Sequence, residues 1–413
     1  MCKEFQVSKR LENIPEALSI YMNQLVYSEK RKGIDIITLS LGEAFFDIPS
    51  YSFSGIDFVK GYHYSDSMGL PGLRKKIMEY YNENYNTYIS NINEIMISSG
   101  SKVIIYMIMQ SILNSGDEVL IHEPAWLSYQ EQAKLVDATP KFIPYDCKVE
   151  DFSQYFTSKT KLLILNNPNN PAGVLYSEEQ LKRIYNDCHG RGIYILMDEA
   201  YSDFIYGDER FCSLASVASD LEGVFIVNSL SKNMGMSGWR VGYVIAQQEK
   251  IKNLLILNQH MITCAPTVLQ LYLEHYFDDI ISVTLPQVKE VVEKRQRIVD
   301  YIHHLGMKCL DGTCTFYIFL HVDELQTSTL DFCLYLLFKY GISTVPGSAY
   351  GRSTNKFIRI GIGAEPEERI RYALGLINLV LRENLTDCGY VTRRLEKNGF
   401  HRFEEENTNG KRG

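Results

Sequence analysis

Isoleucine, leucine and tyrosine recur among charges at roughly helical spacing between residues 11 and 32, which predicts an N-terminal helix. The apolar run Ile34 to Leu41 predicts a short strand entering Gly42-Glu43. A weakly patterned stretch follows and ends in Tyr62-His63-Tyr64. Gly69-Leu70-Pro71 opens a helix that runs to about Tyr81. Proline suits its first turn, where the amide it lacks would have no partner.

From residue 95 the alternation becomes regular. Ile95–Ile97, Glu118–Ile121, Lys161–Leu165, Ile193–Met197 and Val224–Val227 read as strands. Lys102–Leu113 and Glu178–Asp187 read as helices, and Asn166 to Pro171 makes a stiff turn. Strands and helices alternate at βαβ spacing, so an α/β fold with a mostly parallel sheet covered by helices is expected. Functional residues should gather beyond the carboxyl ends of those strands. Residues 251 to about 304 are helix-rich, and Phe316–Phe319 and Phe357–Ile360 look like strands of a smaller α+β domain. The expected division is an N-terminal segment 1–45 contributing to the small domain, a large domain 46–290, a small domain 291–390 and a polar tail 391–413. The last ten residues are expected to be flexible.

The length of 413 residues exceeds what one core usually supports, and 45% hydrophobic content suits a globular enzyme. A net charge of −8 without a long basic run argues against nucleic acid as a partner. No apolar run reaches the roughly 18 residues of a membrane span, and the start Met1-Cys2-Lys3-Glu4-Phe5 lacks a signal-peptide core. A cytoplasmic location is the expectation. Nine cysteines, an odd number, read as reduced structural thiols. Neither Cys309 with Cys314 nor His303-His304 completes a metal-binding set, so no metal is expected.

Candidate chemistry centres on Lys232. It follows the buried strand Val224–Val227 in the run Asn228-Ser229-Leu230-Ser231-Lys232, ahead of Gly238-Trp239-Arg240. A lysine at a strand exit can reach a central cleft and form a Schiff base with a carbonyl cofactor. Alone, it reads as a solvated loop residue. The flanking hydroxyls, glycines and Arg240 add anion-binding chemistry around the amine. Ser99-Gly100-Ser101 before a helix offers free amides and a favourable dipole for a phosphate, though many such turns are ordinary. Asp198 ends a hydrophobic strand, where a carboxylate needs a partner, unless it serves as an exposed cap. Arg359 lies amid apolar strand residues, and its fork suits a carboxylate or a structural ion pair. Trp126 could stack on a flat ring or fill the core.

These motifs, in this order over roughly residues 30–380, resemble the class I/II, aspartate-aminotransferase-like enzymes that use pyridoxal phosphate. The resemblance implies the fold-type-I architecture, with the large domain holding the cofactor. It makes Lys232 the cofactor lysine. Gly100, Ser101, Lys102, Ser229, Ser231 and Arg240 fall at the phosphate site. Trp126 covers one ring face, Asp198 pairs with the ring nitrogen, and Asn170 and Tyr201 contact the ring's phenolic oxygen. Gly42, Asn170 and Arg359 match substrate-binding positions. Tyr64 matches a tyrosine that reaches the neighbouring subunit's active site, which implies a homodimer. The implied reaction moves an amino group between an L-amino acid and a 2-oxo acid by a ping-pong cycle. A lyase, decarboxylase or amino-acid oxidase of the same fold is the first alternative, and an effector-binding regulatory module the second. Ser101 stands where some aspartate-specific relatives carry a lysine for a distal carboxylate. No arginine between residues 260 and 300 aligns for that task, so these residues argue against a dicarboxylate substrate.

Overall fold

The computed structural model describes residues 7–11, 14–218 and 220–403. Seven strands form its main sheet, in the order Ile95–Ser98, Gly242–Ala246, Val224–Ser229, Tyr194–Asp198, Thr160–Asn166, Glu118–His122 and Thr139–Ile143. Only Gly242–Ala246 runs against its neighbours. The sheet is therefore mostly parallel, as the alternation of elements predicts. Its central strands are continuous runs of buried aliphatic residues because helices cover both faces. One face packs against Ser101–Ile112 and Gln248–Met261, and the other against Pro71–Asn84 and Glu178–His189.

Two strands escape the sequence pattern. Gly242–Ala246 follows a loop rich in glycine and serine, so its five residues read as loop continuation. Thr139–Ile143 lies at the sheet edge and is mostly solvent-facing. The strand expected over Ile34–Leu41 shrinks to Ile37–Thr38, which pairs in parallel with Ile342–Ser343. The N-terminal helix is Leu18–Arg31.

A second core surrounds the antiparallel strands Tyr317–His321, Phe357–Gly361 and Val345–Pro346. The helices Thr329–Tyr340 and Glu367–Arg382 pack there, together with Leu18–Arg31. Thr267–His304 is a long helix that joins both cores and carries a non-helical residue at Tyr276.

The expectation of a polar tail from residue 391 needs correction. Cys388–Lys397 is a helix whose Val391 and Leu395 are buried. Two apolar residues in three turns make a weak periodic signal, but they lie on one face and suffice to dock it. Phe403 also packs into the C-terminal core. The flexibility expected of the last ten residues, 404–413, lies outside the described residues.

Candidate active site

The carboxyl ends of the parallel strands open into a cavity of about 320 Å³. Ser101, Lys102, Trp126, Asn170, Asp198, Tyr201, Ser229, Ser231, Lys232, Arg240, Gly42 and Arg359 all line it. Gly100 stands directly behind, against the Arg240 side chain. Two residues of the candidate set lie elsewhere, Ser99 of the phosphate turn and Tyr64. Tyr64 is 84% exposed and lines a separate open recess with Tyr62 and Cys264.

Lys232 sits in the single helical turn Leu230–Asn233 that caps the strand Val224–Ser229. Its Nζ donates to the Gly42 carbonyl at 2.6 Å and lies 5.7 Å from the Tyr201 ring centre. The ammonium thus bridges the two cores. Ser229 caps the turn by accepting from the Ser231 amide at 3.1 Å, and the two hydroxyls meet at 2.6 Å. Arg240 adopts left-handed backbone geometry, φ 55°, and donates to the Ser237 carbonyl at 2.8 Å.

Gly100 has φ 90°, and a Cβ there would lie 2.5 Å from Arg240 Nη2. Glycine therefore allows the guanidinium to approach the start of the Ser101–Ile112 helix. Free first-turn amides, two serine hydroxyls and a guanidinium then converge, the donor set an anionic phosphate requires.

Asp198 ends its strand nearly buried. The Tyr129 hydroxyl donates to Oδ2 at 2.6 Å and the Ala200 amide to Oδ1 at 3.1 Å. Burial pushes its carboxyl above the ordinary value, while these donors and the Lys232 charge pull it back. A cationic ring nitrogen would complete its pairing.

Asn166 accepts from the Asn170 amide at 2.6 Å and donates to the Asp198 carbonyl at 2.7 Å, which locks the asparagine turn to the strand end. Asn170 Nδ2 donates to the Tyr201 hydroxyl at 3.2 Å, and the Tyr201 and Tyr317 hydroxyls lie 3.0 Å apart. Asn170 Oδ1 is buried without a partner. Trp126 lines the cavity and meets Tyr129 edge-on at 5.3 Å.

Arg359 enters from the smaller core. It donates to the Ser40 carbonyl at 2.7 Å and lies over the Tyr317 and Tyr350 rings at 4.5 and 5.2 Å. Its Nε is buried without a partner. Among the described residues, none of Lys102, Lys232, Arg240 and Arg359 has a carboxylate within ion-pair distance. A chain of net charge −8 thus holds four cations around one cavity, against Asp198 and Glu43. Burial first, then the Arg240 charge, holds the Lys102 ammonium below its ordinary pKa.

Sequence reasoning missed Tyr129, Asn166, Tyr317, Ser19 and Asn23, all of which line the cavity. Tyr129 follows Trp126 by three residues in the helix Ser128–Leu135, which the pattern did not suggest. Tyr317 reads as core within an aromatic strand. Ser19 and Asn23 read as the solvent face of an amphipathic helix. The only available signal was Asn166, which ends a strand as Asp198 does.

Such a sheet, with a lysine, an aspartate and a phosphate cradle at its carboxyl ends, defines a fold-type-I pyridoxal-phosphate-dependent enzyme. The sequence model of the family described as "Aminotransferase class I and II" matches residues 57–377. The chain belongs to this family. It is 31% identical to the "Probable aspartate/prephenate aminotransferase" of Aquifex aeolicus, an alignment that covers 91% of this chain and 99% of that one. Its fold matches an aspartate aminotransferase structure from Thermus thermophilus with TM-score 0.83, at 24% identity, over 91% of this chain and 100% of that one. An aromatic aminotransferase structure from Pyrococcus horikoshii matches at TM-score 0.79 and 27% identity, over 87% of this chain and 100% of that one. The chain is therefore an aminotransferase that exchanges an amino group between an L-amino acid and a 2-oxo acid, with pyridoxal phosphate as cofactor. Neither the lyase and oxidase reactions nor the regulatory module finds support among these relatives.

Among the described residues no helix is long and apolar enough to cross a membrane. None of the eight described cysteines forms a disulfide.

Proposed function

We propose that the chain transfers the amino group of an acidic L-amino acid and works as a homodimer. The convergence of Lys232, Asp198 and Arg359 on one cavity supports the transamination chemistry, Lys102 facing the same cavity supports the acidic substrate, and the exposed Tyr64 supports the homodimer. Residues 46–290 act as the large, cofactor-binding domain. Segments 1–45 and 291–390 form the smaller one, a division supported by their separate sheets and cores.

When bound, the cofactor supplies a carbonyl that condenses with amines and a ring that accepts an electron pair. Gly100, Ser101, Ser229, Ser231 and Arg240 hold its phosphate. Asp198, kept in place by Tyr129 and the Ala200 amide, pairs with its ring nitrogen. Trp126 packs on its face, and Asn170 with Tyr201 meets its phenolic oxygen. Arg359 orients the substrate's α-carboxylate beside Gly42. Lys232 then takes the substrate's α-proton on Nζ and later returns it, general acid–base work typically worth about 10²–10⁴-fold.

Lys102, expected beside the phosphate, also supports the choice of an acidic side chain. Its ammonium faces the cavity, 5.0 Å from the Trp126 ring centre, without an acid partner. A second substrate carboxylate would supply one. The names of several relatives as aspartate aminotransferases agree with this. Tyr64 completes the neighbouring subunit's site, a reading supported by its exposure outside its own cavity. A cytoplasmic, biosynthetic role in amino-acid metabolism fits the same reading.

The test is borohydride treatment of the holoenzyme with peptide mapping, followed by a panel of amino donors. Reduced cofactor should be found on Lys232, and Lys232→Ala should lose at least about 10²-fold in turnover. Label on another lysine, or near-normal turnover in the variant, would overturn the assignment. A panel in which acidic donors perform no better than neutral ones would overturn the substrate class alone.

A further inference from the structure

The helix Leu18–Arg31 has two working faces. Ser19 and Asn23, one turn apart, line the active-site cavity. The Ser40 hydroxyl donates to Asn23 Oδ1 at 3.2 Å, and the Ser40 carbonyl accepts from Arg359 at 2.7 Å. Tyr21, Leu25 and Glu29, spaced at successive turns, are buried on another ridge. This second ridge meets the C-terminal strap, residues 388–403, which lies beyond the residues matched by the family model.

The contacts there are polar and specific. Glu29 is 1% exposed and accepts from Arg394 Nη2 at 2.7 Å, Asn398 Nδ2 at 2.9 Å and Lys32 Nζ at 2.7 Å. Lys32 also donates to Asn398 Oδ1 at 2.8 Å. The Tyr21 hydroxyl donates to the His401 carbonyl at 2.7 Å, and the rings of Phe400, His401 and Phe403 surround Tyr21 within 6.3 Å. Arg402 Nη2 reaches both oxygens of Asp331 at 2.6 and 2.7 Å, which fastens the strap's far end to the Thr329–Tyr340 helix. A buried carboxylate gripped by three donors fixes both the rotation and the axial position of the helix that carries it.

We propose that the strap is a positioning element of the active site. Through Glu29 and Tyr21 it sets the register of the Leu18–Arg31 helix. That register places Ser19 and Asn23 at the substrate end of the cavity and holds Ser40 against Arg359. Arg394, Asn398 and Arg402 touch neither substrate nor cofactor, and their effect passes entirely through the helix. The inference rests on the reading that Arg359 binds the substrate carboxylate.

The test compares the holoenzyme with the Arg394→Ala/Asn398→Ala double variant, Arg394→Lys and Tyr21→Phe. Steady-state kinetics with L-aspartate, cofactor absorbance, and hydrogen exchange at the amides of residues 18–31 are measured on each. The double variant should show faster exchange in that helix and a KM raised by about fivefold or more, the low end for coupling between two sites. Its kcat and cofactor absorbance should stay near wild type, because lost ground-state binding raises KM alone. Tyr21→Phe, a milder change, should move exchange and KM in the same direction. Arg394→Lys, which keeps a cation beside Glu29, should recover most of the affinity. Faster exchange with unchanged KM would reduce the strap to a structural brace and overturn the proposal. Loss of bound cofactor, or a kcat that falls with the KM change, would overturn it as well. Arg359→Lys serves as the control for the underlying reading. If it leaves KM unchanged while the double variant raises it, the role of Arg359 fails and the strap acts through Ser19 and Asn23 alone.

Discussion

Among the individual side chains, Lys102 and His122 make the sharpest demands. Lys102 faces a cavity with no acid to meet it, and burial together with Arg240 already disfavours its charge. A substrate carboxylate would relieve that cost. Lys102→Ala should therefore raise KM for aspartate by about 10-fold or more, the loss of one charge-assisted hydrogen bond. KM for a neutral donor should change little, and an equal rise for both donors would count against the proposed substrate class. His122 lies at the end of a central strand, with Nδ1 2.6 Å from the Tyr176 hydroxyl and Nε2 buried without a partner. Burial lowers its pKa from 6.5 to about 4. In that window the unfolded chain binds more protons than the folded one, so the stability this group contributes is complete above pH 6.5 and is lost as pH falls toward 4. Denaturant titrations should show this slope in wild type and a shallower one in His122→Gln. Parallel pH profiles would refute the linkage.

At the level of elements, βαβ spacing was legible because buried parallel strands are continuous apolar runs with helices between them. Lys232, Asp198 and Arg359 were legible for a related reason, since charged residues at the ends or middles of such runs need partners. What escaped was what packing alone decides. The Gly242–Ala246 strand follows a glycine- and serine-rich loop so directly that it reads as its continuation, and the Cys388–Lys397 helix has only two buried apolar anchors. Ser19 and Asn23 look solvent-facing until another element covers them. One junction between elements carries a prediction. Gly100 lets the Arg240 guanidinium lie against its α-carbon, at a φ of 90° that other residues rarely adopt. Gly100→Ala should both strain that backbone and displace the guanidinium. The strain lowers folding stability by about 1–3 kcal/mol, while the displaced guanidinium, one charge-assisted hydrogen bond lost, weakens cofactor affinity by roughly 10- to 150-fold, measured by titration of the apoenzyme with pyridoxal phosphate. Unchanged affinity would mean that the cradle does not hold the phosphate.

For the whole molecule, the proposed homodimer would cover a segment of exposed apolar side chains. Tyr64 is 84% exposed, Tyr62 72% and Val59 67%, in the segment that precedes the first large-domain helix. Sedimentation equilibrium should give a mass of twice the 47.5 kDa chain. Tyr64→Phe should keep that mass and release cofactor more readily, because it removes only a hydroxyl. A monomeric wild-type enzyme with full activity would dismiss the shared site.

The reversed strand Gly242–Ala246 has one more effect. Because the chain leaves Val224–Ser229 and returns along its neighbour, Lys232 and Arg240 stand on a single connection at one end of the sheet. The number of residues on that connection is therefore a chemical quantity, since it sets the distance between the two groups proposed as the reactive amine and the phosphate-holding guanidinium. Turns at the opposite end of the sheet carry no such constraint. Inserting three glycine or serine residues after the exposed Ser158, just before Thr160–Asn166, should leave an active enzyme. The same insertion after Gly235 should abolish cofactor retention while the rest of the fold persists. Tolerance to changes in chain length should thus be lopsided, high on one rim of the sheet and nearly absent on the other.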